Sequence, residues 1–182
     1  AKLIETKQVS PVEAVEAYLD RIEQVNPVVN AYVTVCAEEA RRDARQAEAE
    51  IQQCHYRGPM HGVPVAINDQ IHTKGIRTTD GSKLRATFVP EEDATVMANL
   101  KKAGAILLGK LNMSEFALGD PVSSASGAAR NPWDLERSPG TSSTGAGAAT
   151  AARLCATSLG EDTGGAIRGP AANCGLVGLR PT

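Results

Sequence analysis

Apolar residues near the start of the chain recur every three or four positions, which is the spacing of one buried helical face. The positions are Val12, Val15, Leu19, Ile22 and Val25. Just before them, Ser10-Pro11-Val12-Glu13 is a capping-box pattern with proline at the first helical position. The pattern predicts a helix from about residue 10, and Asn26-Pro27 is expected to end it.

A second helix is predicted from Ala37 to Gln53, where Ala, Glu, Arg and Gln dominate. Its charge pattern is typical of a solvated surface helix. A third helix is predicted from Ala146 to Ala156, because strong helix formers directly follow a run of Gly, Ser and Thr.

Between these helices the pattern changes to short apolar runs. Gly62 to Ile67 predicts a buried strand that ends in the polar pair Asn68-Asp69. Ala94 to Ala103 predicts a helix capped by Gly104, and Ala105 to Leu108 predicts the next strand. This alternation of strand, helix and strand predicts an α/β fold, with a sheet covered by helices.

Composition narrows the classes of function. The chain has 182 residues, enough for one domain with a core, and its formal net charge is −2 from 19 basic and 21 acidic residues. Without a basic surplus, neither a nucleic acid nor an anionic membrane is expected as a partner. Four dispersed cysteines and no apolar run of bilayer length predict a cytoplasmic protein with reduced thiols. No sequence feature points to a metal site or a cofactor.

Two loops of small residues are candidates for binding an anion or a developing oxyanion. They run from Ser138 to Gly147 and from Gly160 to Arg168. Glycines let backbone N–H groups approach a ligand closely, as phosphate and oxyanion sites require. No lysine follows either loop as in a Walker motif, and the glycine spacing is not that of a dinucleotide fingerprint.

Together with their flanks, these loops resemble the amidase-signature family, and the resemblance extends over essentially the whole chain. The motifs that carry it are, in order, Gly62–Ile67, Gly109–Phe116, Arg130–Asp134, Ser138–Gly147, Asp162–Arg168, Pro170–Ala172 and Gly175–Thr182. The resemblance implies the amidase-signature fold, a mixed β-sheet core flanked by helices. Residues 1–182 are then expected to form a single partial domain, with helices at about 10–53 and the sheet and catalytic loops at about 58–182.

The resemblance also implies amide hydrolysis by a Ser–cis-Ser–Lys triad. A neutral lysine acts as base through a bridging serine, and a second serine attacks the amide carbonyl. In this chain the lysine position holds Asn68 and the nucleophile position holds Ala166. Counting without gaps assigns the bridging serine to Ser142, with Ser143 as the alternative if the register slips by one.

Other residues are assigned by the same resemblance. Backbone N–H groups near Thr163, Gly164, Gly165 and Ala166 are expected to stabilise the oxyanion, and Ser143 and Met113 to contribute to the substrate site. The glycine-rich stretch is altered as well. Thr141, Thr144 and Ala146 stand where the family usually has Gly, Gly or Ser, and Ser.

Alanine has no hydroxyl and an amide is not a base near neutral pH, so we expect catalysis to be impaired or absent. His61 and His72 are interpreted as ordinary loop histidines rather than replacement bases. Asp162 and Arg168 are interpreted as a pair that braces the second loop.

Three functions remain open from the sequence. The chain could be an amide hydrolase that has been disabled, a non-catalytic binding or structural protein on the same scaffold, or a relative of the amidotransferase A subunits. The expected ligand is a small amide or another carbonyl compound. Because family members continue beyond Thr182, we expect the chain to be a fragment, or to need another chain to complete the fold.

Overall fold

The computed structural model describes residues 1–120 and 122–181, which are built around a four-stranded sheet. The strands are β1 (Tyr32–Val35), β2 (Pro64–Asn68), β3 (Ile106–Leu111) and β4 (Thr157–Leu159), in the order β1-β3-β2-β4. The helices are α1 (Lys2–Glu5), α2 (Pro11–Val29), α3 (Ala37–Gln52), α4 (Thr95–Lys102), α5 (Thr144–Ala151) and α6 (Arg168–Asn173). The α/β class predicted from the sequence is confirmed.

The sheet is mixed, because β2 runs parallel to β3 and β4 whereas β1 is antiparallel to β3. Side chains alternate between the two faces of β2. Ala66 packs into the large core that α2, α3 and α5 build on one face. Ile67 packs on the other face with Met97 of α4. Helices therefore cover both faces, and the central strand β2 is buried along its whole length.

Helix α2 begins as predicted but ends later. Ser10 Oγ accepts from Glu13 N and the Glu13 carboxylate accepts from Ser10 N, so the capping box is formed. The predicted end at Asn26-Pro27 is wrong, because Pro27 lies inside the helix and Val29 is buried in the core. Pro27 removes one intrahelical hydrogen bond without ending the helix, and Asn30 ends it with a left-handed backbone conformation (φ +50°).

Helix α3 begins as predicted and ends one residue earlier, at Gln52, but it is not solvated on all sides. Ala40, Ala44, Ala47 and Ile51 are buried and lie at helical spacing on one face. A stripe of alanines carries a weak apolar signal in sequence, although its small side chains let the helix pack closely against α2.

The ends of β3 and α5 differ from the predictions by three residues or more. Strand β3 continues to Leu111, three residues beyond the predicted end. Helix α5 ends at Ala151, five residues before the predicted end, because the backbone turns at Arg153 (φ +59°) toward β4. Pairing of β4 with β2 thus overrides the helix propensity of the alanines.

The start of α5 packs directly on backbone. A Cβ at Gly145 would lie 2.5 Å from both Ala31 O and Asn112 N, so only glycine permits this approach. The approach positions Ser142 and Ser143 beside the end of β2. Among residues 1–120 and 122–181, no helix has both the length and the apolar character needed to cross a membrane.

Candidate active site

Asn68 is the last residue of β2, and its side chain is fully buried beside the start of α5. Its Nδ2 donates to Ser143 Oγ at 2.7 Å, whereas its Oδ1 has no hydrogen-bond partner among the described residues. Gly160 lies against both side chains, since a Cβ there would be 2.6 Å from Ser143 Oγ and 3.1 Å from Asn68 Nδ2. The Asn68–Ser143 contact therefore depends on glycine just after β4.

Ser142 follows a cis peptide bond from Thr141 and is 4% exposed. Its hydroxyl has no hydrogen-bond partner within the part of the chain that the structure describes. Ser142 and residues 163–166 line one cavity of about 760 Å³. Ser143 instead lines a neighbouring cavity of about 370 Å³. The structure thus brings Ser142 and Ala166 to one cavity and gives Asn68 the other serine as its partner.

The loop that carries Ala166 is folded around the side chain of Asp162. The carboxylate accepts from the backbone N–H groups of Gly165, Ile167 and Arg168 at 2.6, 3.1 and 3.1 Å. It also accepts from Nε and Nη2 of Arg168, both at 2.9 Å. These contacts hold the pKa of Asp162 well below its usual range. The Arg168 side chain contributes most to this lowering, and the backbone donors contribute less. The two residues form the bracing pair expected from the sequence.

This arrangement determines which backbone donors remain for a ligand. Gly165, one of the four expected oxyanion donors, has its N–H engaged by Asp162. The N–H groups of Thr163, Gly164 and Ala166 have no partner among the described residues. Ala166 supplies a backbone donor although its side chain has no hydroxyl.

Other residues singled out in the sequence lie elsewhere. Met113 is fully buried and lines neither cavity.

His61 is also buried, with Nε2 3.1 Å from Glu50 Oε2 and Nδ1 accepting from Arg57 N. Burial is the main cause that lowers its pKa. His72 contacts Arg85 Nη2 at 3.2 Å. Neither histidine is placed to act as a base on Ser142.

Lys110 on β3 is a buried amine that the sequence interpretation did not single out. Its Nζ donates to Ile71 O at 2.8 Å and to Thr78 Oγ1 at 2.7 Å, and it lies 3.6 Å from Asp69 Oδ1. Burial is the main cause that lowers the pKa of Lys110 to about 8. Because Lys110 is paired with Ile67 in the sheet, its side chain lies on the face opposite Asn68. The sheet separates this amine from Ser142, so Lys110 does not replace the missing base.

Within residues 1–120 and 122–181, no three His, Cys, Asp or Glu side chains come together in a group that could hold a metal ion. The site therefore consists of the Asn68–Ser143 contact, the unpartnered Ser142 hydroxyl and three backbone donors of the Asp162 loop. Such a site can hydrogen-bond a carbonyl group, but it presents neither a nucleophilic side chain nor a base at positions 166 and 68.

Known proteins are similar to this chain over most of its length. The family model described as Amidase matches residues 13–182. The chain is 53% identical to the A subunit of the glutamyl-tRNA(Gln) amidotransferase of Geobacter metallireducens and 50% identical to that of Carboxydothermus hydrogenoformans, each over 180 residues. Each alignment covers 98% of this chain and 37% of the relative, so the chain spans little more than a third of these proteins.

Solved structures of two amidase-type proteins have the same fold as this chain. The native peptide amidase from Stenotrophomonas maltophilia has a TM-score of 0.94 and 34% identity, over 100% of this chain and 39% of that one. The A subunit of the glutamyl-tRNA(Gln) amidotransferase from Thermotoga maritima has a TM-score of 0.78 and 37% identity, over 94% of this chain and 35% of that one.

Proposed function

This chain belongs to the amidase family, and we propose that it keeps the family's amide-binding site but lacks the two side chains that cleave the bond. The observation that carries the proposal is the cavity shared by Ser142 and the loop at Ala166. There the hydroxyl of Ser142 and the backbone donors are available, while the nucleophile position ends in a methyl group.

The chemistry of the two altered positions supports impaired catalysis. Ala166 cannot attack a carbonyl, so no acyl-enzyme forms at that position. Asn68 acts as a donor to Ser143, and a neutral amide cannot accept the proton that leaves a serine hydroxyl. In a catalytic unit of this kind, the loss of even one member lowers kcat by a factor of roughly 10⁴ to 10⁶.

Carbonyl binding is supported by the geometry that remains. The backbone donors at positions 163, 164 and 166 belong to the main chain, and the Asp162–Arg168 pair fixes their loop. A loop held in one conformation binds an oxyanion or carbonyl without further ordering cost. The proposed role is thus binding of a small amide or carbonyl compound.

The double variant Asn68→Lys/Ala166→Ser tests whether the change in function is confined to these two positions. If it is, the variant should release ammonia from a small primary amide such as Nα-acetyl-norleucinamide. The single variants Asn68→Lys and Ala166→Ser serve as matched controls and should remain at background.

A folded double variant without activity would favour a protein long adapted to binding alone, consistent with the altered residues Thr141, Thr144 and Ala146. Hydrolysis by the unmodified chain at the rate of the double variant would contradict the proposal of impaired catalysis.

An amidotransferase A-subunit lineage is the second candidate. It is favoured by the identity of 53% to an A subunit of glutamyl-tRNA(Gln) amidotransferase, compared with 34% to the peptide amidase. Under this candidate the double variant should release ammonia from the side-chain amide of glutamine faster than from a carboxy-terminal peptide amide. The opposite preference would favour the amidase lineage.

A further inference from the structure

The cavity at Ser142 adjoins a second recess of about 470 Å³. The two recesses share Ala117, Leu118, Glu161 and Thr163 as walls. We refer to the two adjoining recesses as the cleft; Ser142 lines one recess, and Gln70, Asp80 and Phe116 line the other. A ligand whose carbonyl lies at Ser142 would extend toward Glu161.

The charged side chains that line this cleft, among the described residues, are the two carboxylates of Asp80 and Glu161. Asp80 is already neutralised by Arg85, whose Nη1 lies 2.5 Å from its Oδ2. Glu161 forms no ion pair within the described part of the chain. Arg168, the cation nearest in sequence, is bound to Asp162. Glu161 therefore contributes an uncompensated negative charge to the cleft.

Neutral donors hold the Glu161 carboxylate in a defined position. Gln70 Nε2 donates to its Oε2, and Thr163 Oγ1 donates to its Oε1 at 3.1 Å. A charge fixed in this way loses little side-chain entropy when a cation binds. The side chains of Phe116 and Leu118 lie in the same recess, and like Glu161 they are exposed to solvent.

A second feature of the cleft is independent of its charge. The Ser142 side chain is more than nine-tenths buried, lines the cleft, and has a hydroxyl without a partner among the described residues. A buried hydroxyl gains stability from a hydrogen bond that the protein itself does not supply. This hydroxyl therefore points to a polar ligand group at the same end as the three backbone donors.

We propose that the cleft selects amide ligands that carry a positively charged group, such as the side-chain ammonium of an aminoacyl amide, and that Glu161 is the residue that determines this specificity. The inference rests on the proposed binding function and adds the chemical class of its ligand. Anionic amides are disfavoured, because their charge would face the Glu161 carboxylate.

Three amides of similar shape test the proposal: Nα-acetyl-lysinamide (cationic), Nα-acetyl-norleucinamide (neutral) and the 1-amide of Nα-acetyl-2-aminoadipic acid, which keeps its side-chain carboxylate (anionic). Their Kd values for the 182-residue chain are measured from the amide NMR shifts of Thr163 and Gly164. At low salt the cationic amide should bind about two- to fivefold more tightly than the neutral one, the range for a partly exposed ion pair. The preference should decrease as salt is added.

Matched variants assign the effect to one residue. Glu161→Gln should abolish the cationic preference, so that the cationic and neutral amides bind this variant with equal Kd values. Glu91→Gln, at an exposed acid that lines neither recess, should keep the preference.

Equal affinity for all three amides, or a preference that survives in Glu161→Gln, would overturn the specificity inference alone. Failure of all three amides to bind would instead overturn the proposed binding function, and the inference with it.

Discussion

Gly160 lies where the end of β4 contacts the two polar side chains at the centre of the site. In Gly160→Ala the new Cβ would lie 2.6 Å from Ser143 Oγ and 3.1 Å from Asn68 Nδ2. Both neighbours are fully buried and cannot move aside freely. The substitution should lower the free energy of unfolding by about 1–3 kcal/mol, as overpacking in a core does.

Urea denaturation of the purified variant measures this loss. Gly164→Ala is the matched control, because a Cβ at Gly164 meets no atom within 4 Å. A change of similar size in both variants would mean that the contact with Asn68 and Ser143 is not the cause.

The positions of the candidate site could be predicted from sequence more easily than the partners of its residues. The resemblance to the amidase-signature family assigns Asn68, Ser142 and Ala166 to one site, and the structure places Ser142 and Ala166 on one cavity. Spacing could not predict that Asn68 donates to Ser143, because adjacent residues at a helix start point in different directions. The engagement of the Gly165 N–H depends on how the loop folds around Asp162, which no linear pattern encodes.

Among the elements, those with a long apolar pattern could be predicted and short ones could not. The start of α2 and the positions of α3, α4 and β2 follow from periodicity and capping signals. Strand β4 has three residues, follows an alanine-rich segment, and forms through its pairing with β2. Such a strand is specified by tertiary contact rather than by local propensity.

The loop after β2 depends on an amine from β3. Lys110 donates to Ile71 O and Thr78 Oγ1 and lies beside the buried Asp69 carboxylate. Lys110→Met should lower the free energy of unfolding by about 3–5 kcal/mol, because it leaves a buried charge without its partner. Lys101→Met, at a half-exposed lysine paired with Asp93, is the control and should cost no more than about 1 kcal/mol.

Two further measurements separate charge from packing. Asp69→Asn in the Lys110→Met background should recover part of the loss, since no unpaired charge then remains. Burial lowers the pKa of Lys110 to about 8 from its ordinary 10.5, so the unfolded chain binds the proton more tightly. The stability of the unmodified chain relative to Lys110→Met should therefore rise between about pH 8 and 10.5. A difference that does not change with pH would show that Lys110 acts through packing alone.

At the scale of the whole molecule, the reactivity of three buried thiols shows whether three parts of the fold are intact. Cys36 packs with Ile67 and Met97 on one face of the sheet, and Cys155 lies in the large core on the other. Cys174 follows α6, and its Sγ donates to Pro139 O at 3.6 Å. Burial raises the pKa of each thiol to about 11. Cys54 is exposed.

Iodoacetamide at pH 8 should modify Cys54 alone in the folded protein, because a thiol with a pKa of about 11 is only about 0.1% thiolate there. The three buried thiols should become reactive along one urea transition, since they belong to layers packed on a single sheet.

The raised pKa values of the three buried thiols mean that the folded state binds their protons more strongly than the unfolded chain does. The stability they contribute is present below about pH 9 and lost as the pH rises toward 11.

Mass spectrometry of each cysteine peptide across the urea series measures the three transitions separately, and Cys54→Ser should show no modification in the folded state. Modification of Cys174 at lower urea than Cys36 and Cys155 would contradict a single transition. Arg168 begins α6 and is bound to Asp162. Early exposure of Cys174 would therefore mean that α6 opens with its loop, which would remove the backbone donors of the site while the sheet stays folded.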